Sequence, residues 1–353
     1  MQLKSDVNLV YLLIEEEGYL AYRANVAYQM DGEARYAKVF ASVLSGEKIA
    51  EFSHIHTAEN RTIFTADNTK KLPGTLVREE GGHITSDTTV NQAYNNAGVC
   101  YDFYLKTFNR DSWDGKGGDM ISTVHYDKNY NNAFWNGEQM VYGDGDGVTF
   151  TDFAGDTSVV CHELTHAVVQ STANLRYFRD SGALNEGWAD AMGVSAVRFI
   201  DGGETYTRWM VGHHCYLAGQ ALRFMNNPPL DNSSYDWYPT RYTGFIDNGG
   251  VHWNSGIANL AFVLLTEGGT HPQQLSNIYV NGIGWDNSQK VWYNALFYMT
   301  ETTDFSGARA ATETAASTLF TNQQAVASTT ACWEAVGVPA STSSRSPFVF
   351  HRK

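Results

Sequence analysis

His162-Glu163-Leu164-Thr165-His166 is the stretch on which the reading of this chain turns. Residues four apart on an α-helix share a face, so both imidazoles can reach one metal ion. Glu163 is one residue beyond His162 and turned by about 100°, where its carboxylate can hold a metal-bound water rather than the metal. Val159, Leu164 and Val168 mark the helix as buried. It is predicted over 159–170, with Ser158 as its cap. A third ligand is required, and Ser181-Gly182-Ala183-Leu184-Asn185-Glu186-Gly187-Trp188-Ala189-Asp190 offers one. Here Glu186 and Asp190 share a helical face, which costs free energy by like-charge repulsion. The conflict disappears if Glu186 binds the metal while Asp190 accepts a hydrogen bond from His162. Asn185 can serve His166 in the same way. Two histidines and one carboxylate leave a fourth position open, as in a catalytic rather than a structural zinc site.

The rest of the chain sets bounds on that site. Its 353 residues suggest about two domains at ~150 residues each. Hydrophobic content of 43% against 18% charged is that of a globular protein. With 38 acidic and 24 basic side chains the net charge is -14. That balance excludes a nucleic-acid surface and repels anionic membranes. The best apolar run, 260–265, is far short of the ~18 residues a membrane span needs. The opening Met1-Gln2-Leu3-Lys4 has no apolar signal core, which fits either a cytosolic protein or a truncated secreted one. Four cysteines, none in a C-x-x-C pair, are too few for a disulfide scaffold.

Residues 1 to about 53 read as strands: Leu20, Tyr22, Ala24, Val26 and Tyr28 alternate with their neighbours, and Ser45-Gly46-Glu47 is a turn. From His54 to about Asn68 the chain is polar with little periodicity, the best boundary in the sequence. Residues 69–155 mix strands with one helix, capped by Asp87 and faced by Val90, Tyr94, Ala97, Tyr101 and Tyr104. The Gly-, Asn- and Asp-rich stretch 117–156 predicts twisted strands and tight turns. Helices follow over 159–170, 182–199, 255–266, 291–299, 308–320 and 323–336. A β-rich half before an α-rich half is the order of an α+β protein with a cleft between lobes. Residues 341–353 read as a flexible tail.

With these residues in view, the chain resembles the thermolysin-like neutral metalloproteases, whose catalytic zinc is held by two histidines and a glutamate. Four more stretches carry the resemblance: Tyr130-Asn131-Asn132-Ala133-Phe134-Trp135, Tyr142-Gly143-Asp144-Gly145-Asp146-Gly147, Asp247-Asn248-Gly249-Gly250-Val251-His252 and Val280-Asn281-Gly282-Ile283-Gly284. It runs in order from about 60 to about 338, while 3–53 are similar to the end of the family's propeptide. The resemblance implies a two-lobed α+β fold: propeptide over 1–55, a β-rich lobe with the zinc helix over 56–175, a helical lobe over 176–340 and a tail over 341–353. It further implies a secreted zinc endopeptidase made as a zymogen, a monomer acting on proteins and peptides, with its own propeptide as partner. Glu163 would be the general base. Tyr177 and His252 would stabilise the oxyanion, with Asp247 orienting His252. Asn132 and Ala133 would pair with substrate backbone, and Arg223 would hold the residue after the cut. Phe150, Val159 and Leu222 would line that residue's pocket and favour Leu, Phe or Ile.

The chain departs from the family where two calcium ions usually bind. Ser158 and Val197 stand at acidic positions, and Gly212-His213-His214-Cys215 replaces an acidic segment. Calcium requires carboxylates, so this double site is expected to be absent, His213 and His214 to be loop residues, and Asp144 and Asp146 to form a tight turn. Cys161 and Cys215 are expected to form a disulfide in its place, leaving Cys100 and Cys332 as buried thiols. Two other readings compete. An aminopeptidase would need an acidic N-terminus-binding motif, which the sequence lacks, and a non-catalytic relic is disfavoured by intact Glu163, Tyr177 and His252.

Overall fold

The alternating stretch 20–28 lies within β3 (Glu17–Met30), the centre of an antiparallel sheet. β1 (Gln2–Leu3) and β2 (Asn8–Ile14) pair along one edge of β3, β4 (Glu33–Ser42) along the other, and β5 (Lys48–His54) beyond β4. The expected turn joins β4 to β5: Gly46 donates to the Ser42 carbonyl at 2.9 Å and has φ 71°. The computed structural model describes residues 2–3, 7–14, 17–30, 33–54, 59–202 and 207–341. The tail expected beyond Ser341, and residues 55–58 of the expected boundary, lie outside them. The chain forms two compact units, 1–59 and 60–353.

The second unit opens with β6 (Arg61–Thr69), a strand inside the stretch read as aperiodic. Its alternation is visible only as burial, with Ile63 and Thr65 turned inward. β6 pairs antiparallel with β7 (Thr75–Glu79) and parallel with β8 (Met120–Tyr126). On the far side of β8 comes β10 (Met140–Tyr142), and then β9 (Ala133–Trp135) at the edge. Helix α1 (Thr88–Phe108) lies on this sheet. Asp87 caps it, and the expected tyrosine face is buried.

The site is built from three long helices. α2 (Thr157–Gln170) is capped by Asp156, whose Oδ1 accepts from the Ser158 and Val159 amides. A carboxylate at a helix N-terminus is favoured over a hydroxyl by the dipole. Ser158 instead lies within the first turn, accepts from the Gly212 amide and is buried. α3 (Arg179–Asp201) begins before the expected start. Ser181 donates back to the Arg176 and Phe178 carbonyls instead of capping. Within α4 (Asp247–Glu267), residues 247–250 are left-handed, so right-handed helix starts at Val251. α5 (Trp285–Ala295), α6 (Phe305–Leu319) and α7 (Gln323–Ala335) complete the helical part. β11 (Met210–Val211) and β12 (Arg223–Phe224) form a short hairpin-like pair. Trp188 of α3, Trp292 of α5 and Trp333 of α7 stack at 5.1 and 5.5 Å, fixing α3 from behind.

The cysteine pairing corrects an expectation. Cys161 bonds to Cys100, with Cα atoms 5.4 Å apart. Cys215 and Cys332 are the free, buried cysteines. Cys161 does share a helical turn with Ser158, but its side chain meets the buried face of α1. The Cys215 thiol turns back to the Gly212 carbonyl of its own loop.

Candidate active site

His162 and His166 leave α2 one turn apart, and Glu186 leaves α3 opposite them. The Nε2 atoms of the two histidines are 3.0 Å apart. Glu186 Oε2 is 3.4 Å from His162 Nε2, and Glu186 Oε1 is 3.4 Å from His166 Nε2. The other ring nitrogens are fixed: His162 Nδ1 is 2.9 Å from Asp190 Oδ1, and His166 Nδ1 is 2.8 Å from Asn185 Oδ1. Both partners are acceptors only, so each Nδ1 donates and each Nε2 directs a lone pair inward.

Asp190 is a hub. Arg223 donates to it through Nε and Nη2, both at 2.7 Å, and Asn259 Nδ2 donates at 2.8 Å. Burial, the largest influence, opposes ionisation of Asp190, but Arg223 and His162 outweigh it and hold the carboxyl at about 2. On the opposite side, His252 Nδ1 is 2.6 Å from Asp247 Oδ1, and its Nε2 is 3.0 Å from the Tyr177 hydroxyl. That hydroxyl donates to Glu186. The charge of Glu186 raises the pKa of His252, with burial opposing. The loop before His252 needs its glycines. Gly249 and Gly250 have φ of 88° and 82°, and a Cβ on Gly249 would lie 2.5 Å from Arg179 Cγ.

These groups face a cleft of about 640 Å³. Glu163 lies on its wall beside the two histidines, and Phe150, Val159 and Leu222 lie on an apolar wall with Phe153 and Val211. Asn132, Ala133, Tyr177, Asn185, Glu186, Arg223 and His252 also line it. Asp190 and Asp247 stand behind the lining, each against a histidine.

Residues 22–170 match the model described as thermolysin metallopeptidase, catalytic domain, and 173–338 match thermolysin metallopeptidase, alpha-helical domain. The chain belongs to the thermolysin family of metallopeptidases. A bacillolysin of Brevibacillus brevis is 38% identical over 94% of this chain and 67% of its own length. A thermolysin of Alicyclobacillus acidocaldarius is 45% identical over 78% of this chain and 51% of its own. The chain thus spans between half and two thirds of these relatives. Among solved structures, the precursor of protealysin from Serratia proteamaculans matches with a TM-score of 0.70 at 34% identity, over 80% of this chain and 88% of that one. The fold is accordingly the two-lobed α+β fold of the thermolysin family.

A thermolysin-like enzyme carries zinc, and the residues present fit that ion. Tetrahedral bonds of 2.0–2.1 Å place neighbouring ligand atoms about 3.3 Å apart, close to the 3.0, 3.4 and 3.4 Å seen here. Glu186 Oε2 is buried without a hydrogen-bond partner among the described residues, and two inward lone pairs 3.0 Å apart repel unless a cation lies between them. A proton meets the same demand. Burial acts most strongly on His162 and disfavours its charge, yet Glu186 and Asp190 overcome it and raise the pKa to about 10.

The thermolysin-like site also uses residues the sequence reading passed over. Asn259 is two helical turns after His252, a spacing that signals a shared face. Asp156, two residues before Ser158, ties α2 to the altered loop: its Oδ2 accepts from the His214 amide at 2.7 Å. Phe153 and Val211 come from a short 3-10 turn and a two-residue strand, neither with a periodic signature. His213 is held by the Gln220 carbonyl at 2.6 Å, and Asp146 Oδ1 accepts three successive amides in a tight turn.

Proposed function

We propose that this chain is a zinc endopeptidase that cuts on the amino side of large apolar residues and is made as a secreted zymogen. One observation carries the reading: the triangle of His162, His166 and Glu186 opens onto a cleft whose walls hold both Glu163 and an apolar pocket. Zinc, when bound, supplies a Lewis acid and brings the pKa of a bound water to about 7.

The chain's own groups supply the rest. Glu163 takes the proton of the attacking water and passes it to the leaving amine. Tyr177 and His252 donate to the oxyanion as it develops, and such a donor contributes about 2.7–4 kcal/mol. Before substrate arrives, the Tyr177 hydroxyl rests on Glu186 and His252. It must exchange those partners, so its bond strengthens only as the reaction proceeds. Glu186 first, and Asp247 through its bond to Nδ1, favour the protonated form of His252, whose Nε2 then carries a proton to donate into the cleft.

Substrate lies extended. β9 pairs only with β10 among the described strands, so its outer edge is free to take a peptide strand beside Asn132 and Ala133. Arg223 reaches the carbonyl of the residue after the cut while anchored on Asp190. Phe150, Val159, Leu222, Phe153 and Val211 receive that residue's side chain. Residues 1–55 act as propeptide. The family's catalytic-domain match begins at residue 22 and does not mark that boundary; the support for a propeptide is the likeness to a structure described as a precursor. Among the described residues no helix is long and apolar enough to cross a membrane. The double calcium site is absent in this reading, and the Asp156–Ser158–His214 bonds hold the loop in its place.

Casein hydrolysis tests the proposal. It is expected to stop with a chelator and to fall by about 10²–10⁴-fold in Glu163→Gln, with cuts mapped before Leu, Phe or Ile. Full activity in the variant, or cleavage confined to peptides with a free amine, would overturn it.

A further inference from the structure

We infer that the rim of the cleft carries a second recognition element, an arginine held between aromatic rings, which selects substrates with a carboxylate beside a large apolar residue away from the cut. This rests on the peptidase reading above. Arg179, the first residue of α3, has its guanidinium 5.2 Å from the ring centroids of both Phe178 and Phe245. It forms no hydrogen bond or ion pair with the described residues. Its basic neighbours are occupied: Arg176 pairs with Glu301 at 2.7 Å and Arg241 with Asp180 at 3.3 Å. Arg179 is therefore the member of this cluster still able to take a carboxylate, on a chain whose net charge is -14.

The surroundings are apolar and open. Phe178 is 45% exposed, Phe245 77% and Ile246 68%. A patch of that kind marks an interaction surface. It borders a hollow of about 380 Å³ whose lining includes Phe178, Arg179, Asp180, Arg241, Tyr242 and Gly249, with Asp180 already paired to Arg241.

The patch is continuous with the cleft on both strands of chain that form it. Tyr177, whose hydroxyl reaches Glu186 and His252, directly precedes Phe178. Asp247, the partner of His252, directly follows Ile246. The Arg179 stem crosses Gly249, where a Cβ would lie 2.5 Å away. A polypeptide leaving the cleft past Tyr177 and His252 therefore meets the patch, which makes the substrate itself the occupant. A guanidinium already lying against two rings loses less freedom on pairing, and its fork donates to a carboxylate from two nitrogens.

The test uses the zinc-loaded full chain and a peptide series. The apolar residue after the cut is fixed, and one Glu, against Gln, is moved along the flanking positions. The Glu/Gln ratio of kcat/KM is expected to peak at one position at about 3–5, the size of an exposed ion pair. It should shrink in about 0.5 M salt and fall to about 1 in Arg179→Gln. Each ratio is taken within one enzyme, so general damage from the substitution cancels. A flat profile, or a peak that survives Arg179→Gln, would overturn the inference. Failure to cut any peptide, both with residues 1–55 attached and after their release, would strike the peptidase reading instead. A photo-crosslinking phenylalanine at position 245 should capture the Glu peptide; capture of residues 1–59 in its presence would overturn the choice of occupant.

Discussion

Replacing Cys100 and Cys161 together by alanine removes the covalent tie between α1 and α2. The bond joins residues 61 apart in sequence. Closing a loop of that length lowers the entropy of the unfolded chain by an amount equivalent to about 4 kcal/mol at 25 °C. For a unit of this size, such a loss moves the unfolding midpoint by about 6–7 °C. Cys332→Ala is the control, because Cys332 is equally buried but unpaired. It should cost only about 1 kcal/mol, the scale of one small buried group. The assay is the midpoint of thermal inactivation at a fixed scan rate, since a two-unit chain need not refold. A thiol titration in denaturant without reductant is expected to find two free thiols, Cys215 and Cys332. Four thiols would refute the pairing. An alanine pair that inactivates within the range of the control would refute the energetic argument while leaving the bond in place. Both sulfurs are buried, so reductant alone should leave activity intact until heat opens the fold.

Asp190→Asn should weaken zinc binding about 10–100-fold, measured by competition with a chelator, because it removes the charge that His162 and Arg223 share; unchanged affinity would contradict the hub. The Asp144 hydrogen bond, with burial opposing and Asp87 adding, raises His125 from 6.5 to about 9. A raised folded pKa gives stability that is whole below pH 6.5 and lost as pH rises towards 9. After discounting for partial exposure, that loss is about 1–2 kcal/mol. His125→Gln should flatten the fall in melting temperature over this window, and an equally steep fall in the variant would refute the assignment.

The metal triangle was legible because helical spacing is a rigid rule: residues four apart share a face whatever surrounds them. The same rule put Asp190 on the face of Glu186, where it meets His162, whereas Asn185, one residue from Glu186, was a candidate for His166 by chemistry rather than by spacing. It could not name the partner of Cys161, because a helix face says which way a sulfur points and not which helix lies opposite. The caps failed for a related reason. Asp156, Thr157 and Ser158 are all capping residues, and only the loop bearing His214 decides between them, by giving the second carboxylate oxygen of Asp156 an amide to accept from. The start of α4 was hidden because Asp247 and Asn248 take left-handed backbone, a choice local propensity does not favour and tertiary packing enforces.

The spacing within the triangle depends on how closely two helices approach, and the small residues of α3 control that approach. A Cβ at Gly193 would lie 2.5 Å from the Ser158 carbonyl of α2, and one at Gly187 would lie 2.7 Å from the Ala258 Cβ of α4. Ordinary side chains at those positions would push α3 off both neighbours, yet Glu186 and Asp190 sit beside them and must reach across to His162. Behind α3, the Trp188–Trp292–Trp333 stack blocks retreat. The helix is thus confined from both sides. A ligand spacing of about 3.3 Å, which side-chain rotamers alone would hold only loosely, is maintained by backbone packing that cannot relax without breaking the core.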